Sequence, residues 1–299
     1  MSTTPLKPLT SGRHRLTLDV EDREREVWVF IPEQVEMPAS GWPVIFTFHG
    51  GLSNAPTMMR FCELNELGET AGFVTVFPNG TGRLPSMKTW NAGMCCGYAQ
   101  REDVNDVHFV EEMLADLPQR FPIDPTRVYA TGMSNGGMMC YLLADKLSSR
   151  FAAVAPVGGT MGNDTCNPQR PVPLMHMHGT DDHFVRWEGG VGSRSKSKLD
   201  FHSVDHAMAN WVAANHASPQ PTVESFTPQV DDGTSIERFT YAATSEDSAE
   251  VILWKIHGGG HTWPGKESRL EMLGKTTQNL DANQVIWDFF QQHRLGGSL

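Results

Sequence analysis

Five residues, Gly132-Met133-Ser134-Asn135-Gly136, form a G-x-S-x-G segment between a strand-like run at 127–131 and a helix-like run that begins near Gly137. A serine on so sharp a strand-to-helix bend takes a strained backbone conformation. Its hydroxyl then stands exposed at a helix N-terminus, where developing negative charge is stabilised. A serine is a poor nucleophile at neutral pH until a base takes its proton, and that base needs a third group to hold it. Further along the chain lie Asp181 and Asp182, just after an apolar run ending at His178. Later still, His261 stands in the run Gly258-Gly259-Gly260-His261-Thr262-Trp263-Pro264. Serine, acid and histidine in this order suit acyl transfer. Either aspartate fits the acid role, one facing the histidine while the other caps a turn or meets water. The glycines around His261 predict an imidazole free to swing towards Ser134.

Acyl transfer also needs two backbone N–H groups aimed at the tetrahedral oxyanion. Asn135, directly after the serine, supplies one. The loop His49-Gly50-Gly51-Leu52 supplies the other, with Gly51 the first candidate and Leu52 the next. His49 reads as a hydrogen-bonding residue of that turn and not as a base.

These groups need a scaffold, and the patterning provides one. Strands are predicted at 14–20, 26–31, 44–48, 73–77, 128–131, 152–157 and 174–178, with a late hairpin at 236–241 and 250–256. Helices are predicted at 57–70, 104–120, 137–147, 203–215 and 281–293. The first two strands alternate polar and apolar, as at an antiparallel edge. The central ones are short and apolar, as in strands covered on both faces. Strand–helix repetition of this kind implies an α/β fold with a mainly parallel sheet and right-handed crossovers. The segments 188–199 and 218–234 read as surface excursions, and one domain spanning 1–299 is the expected count.

Composition narrows the partners. A formal net charge of −11 argues against nucleic acid. No apolar run approaches the ~20 residues of a membrane span, and the first eight residues lack the apolar centre of a secretory leader. Five cysteines leave at least one unpaired. Cys62 and Cys140 read as small buried residues, and a bridge from the Cys95-Cys96 pair to Cys166 is one arrangement open to the rest.

Several segments together resemble one family, the esterase and poly(3-hydroxybutyrate) depolymerase-like group that includes bacterial feruloyl esterases. They are the runs 48–51 (Phe-His-Gly-Gly), 77–80 (Phe-Pro-Asn-Gly) and 90–97 (Trp-Asn-Ala-Gly-Met-Cys-Cys-Gly). The runs 103–107, 128–138, 178–182 (His-Gly-Thr-Asp-Asp) and 258–265 (Gly-Gly-Gly-His-Thr-Trp-Pro-Gly) continue the match in order. The resemblance implies an α/β-hydrolase fold with a central sheet flanked by helices, no cofactor and no metal. It implies a small ester or a polyester as substrate, and it is compatible with a homodimer. It points to Asp182, three residues after the glycine of His178-Gly179-Thr180, as the acid. Trp263 looks like the family's aromatic at the mouth of the site, and it suits a core position equally well. Members of the group are often secreted or periplasmic; the compartment of this chain stays open.

The chain departs from the family around the expected entrance. After the acid it reads Val185-Arg186-Trp187-Glu188-Gly189-Gly190, where a proline and tyrosine followed by glycines are usual. Arg186, Arg194, Lys196 and Lys198 place four cations just beyond the acid. They read as a solvated loop or, more sharply, as a basic rim for an anionic polymer such as poly(aspartic acid), with Arg186, Trp187 and Lys196 as substrate-binding candidates beside Leu52 and Trp263. Two rival classes remain. The pairs His176/His178 and His202/His206 have spacing suited to metal ligands, although no H-E-x-x-H set accompanies them. The other rival is a polymer-binding module that keeps the fold without turnover.

Overall fold

The computed structural model describes residues 7–195, 198–268 and 270–296. β1 (Gly12–Val20) and β2 (Arg23–Ile31) form a hairpin turned by Glu21 and Asp22, both left-handed. β3 (Trp42–Phe48), α1 (Ala55–Cys62), α2 (Leu64–Ala71) and β4 (Val74–Pro78) follow. Then come a small hairpin of β5 (Thr81–Leu84) and β6 (Met87–Thr89), α3 (Gly97–Arg101), α4 (Asp106–Asp116), β7 (Ile123–Met133) and α5 (Asn135–Lys146). β8 (Ala153–Val157), β9 (Leu174–Gly179), β10 (Gly190–Val191), β11 (Asp200–Phe201) and α6 (Val204–Ala214) lead to β12 (Thr222–Phe226), β13 (Ser235–Tyr241), β14 (Val251–His257) and α7 (Ala282–Phe290).

Ten strands make one sheet in the order β1-β2-β4-β3-β7-β8-β9-β14-β13-β12. The run from β4 to β14 is parallel, and antiparallel pairs close both ends. The fully buried strand β3 shows how the sheet divides the core. Val44, Phe46 and Phe48 pack on one face with Phe109 of α4, Met139 of α5 and Trp211 of α6. Ile45 packs on the other with Met58 of α1, Leu64 of α2 and Ile286 of α7. Period-two alternation of side chains thus feeds two apolar layers, each sealed by helices.

The predicted helix at 57–70 is two helices. Glu63 is left-handed, its N–H closes α1 on the Met59 carbonyl, and its carboxylate pairs with Lys266 at 2.9 Å. The segment 218–234, expected as an excursion, contains β12, whose mixed sequence has no apolar period because its side chains are exposed on the sheet edge. β5, β6 and α3 were not predicted; three to five residues are too few to carry a period. None of the described helices is long and apolar enough to cross a membrane.

Candidate active site

Ser134 sits between β7 and α5 with φ 57 and ψ −122. Its N–H bonds to the Val157 carbonyl at 2.8 Å, which ties the bend to β8. The flanking glycines are required by close approach. A Cβ on Gly132 would fall 2.7 Å from the Gly136 carbonyl carbon, and one on Gly136 would overlap the Phe48 carbonyl. The strained serine is therefore held by backbone on three sides, and its hydroxyl opens into a cavity.

Asp182 follows β9 and is buried. One carboxylate oxygen accepts the N–H groups of Phe184 and Val185 at 2.8 and 2.9 Å. The other lies 2.6 Å from His261 Nδ1. Burial pushes the Asp182 carboxyl up, but the charge and hydrogen bond of His261, with His178 and the Val185 amide, outweigh it and hold the group below the usual aspartate range. An ionised carboxylate only accepts, so Nδ1 of His261 carries a proton and Nε2 is left as the basic nitrogen. Asp181 faces away, its carboxylate accepting from the Thr180 hydroxyl.

His261 is not the free-swinging residue that its glycines predict. It is 7% exposed, stacks on Phe184 with centroids 5.0 Å apart, and its N–H bonds to the Leu273 carbonyl at 2.6 Å. Gly260 lies so close to Gly274 that an added Cβ would stand 2.7 Å from its Cα. The glycines serve backbone packing that fixes the loop. Ser134 and His261 both line the cavity, and among the described residues no hydrogen bond joins the two. Such bonds are often long without substrate and tighten in the complex.

The cavity holds about 670 Å³. Gly51, Leu52 and Asn135 line it beside Ser134, with Gly51 so near that a Cβ there would be 3.6 Å from that of Asn135. The Asn135 side chain has a second task. Its oxygen accepts from the Trp90 N–H at 2.7 Å, and its nitrogen donates to the Trp90 carbonyl at 3.0 Å, fastening the wall that follows β6. Asp106, buried against Arg25 at 2.6 Å, accepts from the Asn91 N–H and holds the same wall from behind. His49 is buried, which lowers it to about 4, and it accepts from the Gly80 N–H at 3.0 Å.

Several expected substrate contacts are absent from the cavity. Trp263 belongs to the core, fully buried, with its indole N–H on Asn283 at 2.9 Å. Arg186 is half-exposed, lies 3.7 Å from Glu188, and does not line the cavity. Trp187 is buried edge-on against His178, with Lys255 over its ring. Arg194 turns to the Met272 carbonyl, and Lys196 lies outside the described residues. The basic rim read from 186–198 is thus not assembled at the cavity among the described residues. Cysteine pairing differs too: Cys95 is bonded to Cys96, and Cys166 is free.

The lining that sequence reading missed comes from β5, β6, α3 and the loop between β14 and α7: Arg83, Leu84, Met87, Tyr98, Arg101 and Leu270. Among the described residues no Asp or Glu lines this cavity, and Arg83 and Arg101 are its lysine or arginine side chains. The only sequence signal was the cationic character of Arg83 and Arg101 near the Cys95-Cys96 run, which carries no periodicity.

A parallel sheet with a strained serine at one strand end and a bonded acid–imidazole pair at two others is the layout of an α/β-hydrolase. Comparison with known proteins agrees. The prolyl oligopeptidase family matches residues 64–170, the part that carries β7, the serine bend and α5. A bifunctional acetylxylan esterase/xylanase of Neocallimastix patriciarum is 26% identical over 82% of this chain and 36% of its own length. A putative esterase, NocK, of Nocardia uniformis subsp. tsuyamanensis is 27% identical over 86% of this chain and 75% of its own. The chain thus spans about a third of the length of the first. Among solved structures, an acetyl xylan esterase from Aspergillus awamori shares the fold, with a TM-score of 0.61 and 16% identity over 84% of this chain and 94% of its own. The chain thus has the α/β-hydrolase fold and is similar to esterases and a poly(3-hydroxyalkanoate) depolymerase of that fold.

Proposed function

We propose that this chain hydrolyses carboxylic esters through an acyl-enzyme on Ser134. Nε2 of His261 takes the hydroxyl proton as Oγ bonds to the acyl carbon, and the carbonyl electron pair moves to oxygen. The N–H groups of Asn135 and of Gly51 or its neighbour Leu52 receive that oxyanion. Collapse expels the alcohol, which takes the proton from His261. Water then attacks the acyl carbon as His261 takes its proton; collapse breaks the bond to Oγ, Ser134 recovers the proton from His261, and the acid product leaves. Asp182 holds the imidazole tautomer and balances the imidazolium. The observation that carries this reading is the 2.6 Å Asp182–His261 contact behind an imidazole that shares a cavity with the strained Ser134.

The test is hydrolysis of p-nitrophenyl acetate with a stoichiometric burst, stopped by a serine-directed phosphonate and indifferent to chelators. Loss of activity to a chelator would favour the metal-dependent rival; no turnover of any short ester would favour the binding module. A second reading has its own support. Among the described residues, two arginines and no carboxylate line the cavity of a protein with net charge −11, which suits an ester whose acyl or alcohol part bears a carboxylate. Arg83 and Arg101 replace Arg186 and Lys196 as the residues that would recognise it.

A further inference from the structure

His176 and His178, two positions apart on β9, project to the same side and are fully buried. They are not spare ligands. Tyr141 of α5 places its hydroxyl 2.9 Å from His176 Nδ1. His176 Nε2 lies 3.0 Å from His178 Nδ1, and His178 Nε2 lies 2.8 Å from the Val185 carbonyl. Elementary proton accounting fixes every hydrogen in this chain. A carbonyl only accepts, so His178 Nε2 carries the proton. Burial disfavours charge on both rings, so His178 Nδ1 is bare and accepts from His176 Nε2–H. His176 Nδ1 is then bare in turn and accepts from the tyrosine O–H.

The chain ends on the loop that carries the acid. Val185 is gripped from both sides: its carbonyl by His178, its N–H by the Asp182 carboxylate at 2.9 Å. The same His178 Nε2–H lies 3.5 Å from the Asp182 oxygen that bonds to His261. The Val185 carbonyl selects both tautomers, and the tyrosine O–H satisfies the one nitrogen they leave bare, His176 Nδ1. If that hydroxyl is removed, His176 Nδ1 is buried without a donor, and the ring that presents its proton to His178 loses the contact that fixes its place.

We infer that Tyr141, His176 and His178 are positioning residues that hold the Asp182 loop, and through it His261, in the geometry for proton transfer. Tyr141 acts through two buried rings on a carboxylate it does not touch. The inference rests on the ester-hydrolase reading above.

The test is a cycle of Y141F and H178Q, read as kcat and KM on p-nitrophenyl acetate. A glutamine amide offers N–H to the Val185 carbonyl without the ring-to-ring link to His176. Y141F lowers kcat roughly fivefold, the worth of about one hydrogen bond, while KM stays within about twofold. In the H178Q background the same change leaves kcat where it was. Unchanged kcat for Y141F alone, or an equal fall in both backgrounds, overturns the inference. If H178Q does not fold, the Y141F result alone decides. Wild-type protein that turns over no ester defeats the hydrolase reading itself, whereas an active wild type with an indifferent Y141F defeats only the positioning role.

Discussion

On one side of the cavity, Asp182 and His261 are buried, and each is fixed by backbone as well as by the other. Elsewhere in the lining, Arg83, Leu84, Met87 and Leu270 are exposed, and they stand on a two-strand hairpin and a loop. The first side has one geometry because buried polar groups must all be satisfied together. The second can change side chains with little cost to the fold. Chemistry is thus assigned to the rigid half and substrate choice to the replaceable half, and substitutions on the two sides separate the two assignments.

The largest effect belongs to the buried side. Asp182→Asn lowers kcat by about 10⁴-fold with little change in KM, since the amide no longer enforces the tautomer; stopped-flow with p-nitrophenyl acetate measures it. A fall no larger than tenfold would remove Asp182 from the relay. The same substitution has a pH signature. The folded-state pKa of Asp182 lies below its unfolded value, so its contribution to stability is complete above the ordinary aspartate pKa of about 3.9 and is lost as pH falls through the lower folded value. The gap in unfolding free energy between wild type and D182N is therefore constant from neutral pH to about 5, and it closes in stronger acid. Urea titrations across that range check this.

Next is the support behind the cavity wall. Asp106→Asn strands the Arg25 guanidinium, which is 3% exposed and lies over the Phe109 ring at 3.8 Å. Breaking one member of a buried pair costs about 3–5 kcal/mol, which denaturant unfolding reads directly. The smallest effect falls on the exposed side. The double variant R83Q/R101Q raises KM for a carboxylate-bearing ester by about threefold to tenfold, as expected for rim charges, and leaves a neutral ester unchanged. Equal shifts for both esters would remove the anionic-substrate reading and leave the ester chemistry standing.

The same division explains what could be read from the sequence. The serine bend was legible because a left-handed residue between strand and helix demands glycines at fixed offsets, and Gly132 and Gly136 supply them. The sheet was legible because β3, β4 and β8 are covered on both faces and so read as unbroken apolar runs. His261 was found by its order in the chain, but its rigidity was not, because a glycine looks the same whether it frees a loop or lets two backbones touch. Trp263 was placed by analogy with the family and Arg186 by the run of cations it opens, and neither analogy nor charge tells which side chains the fold turns towards the cavity. Arg83, Tyr98 and Arg101 lie on pieces too short to have a period, so only folding brings them to the cavity. The pair His176/His178 had suggestive spacing for a metal, but spacing along a strand cannot tell which nitrogen meets Tyr141 and which meets Val185.

The central claim is that Ser134 forms a covalent bond with the acyl group. Intact-mass and peptide mass spectrometry after treatment with a fluorophosphonate tests it most directly. The account predicts one adduct per chain, located on Ser134, rising in step with loss of esterase activity and absent in Ser134→Ala. Full esterase activity in Ser134→Ala, or inactivation with the adduct on another residue, would contradict it.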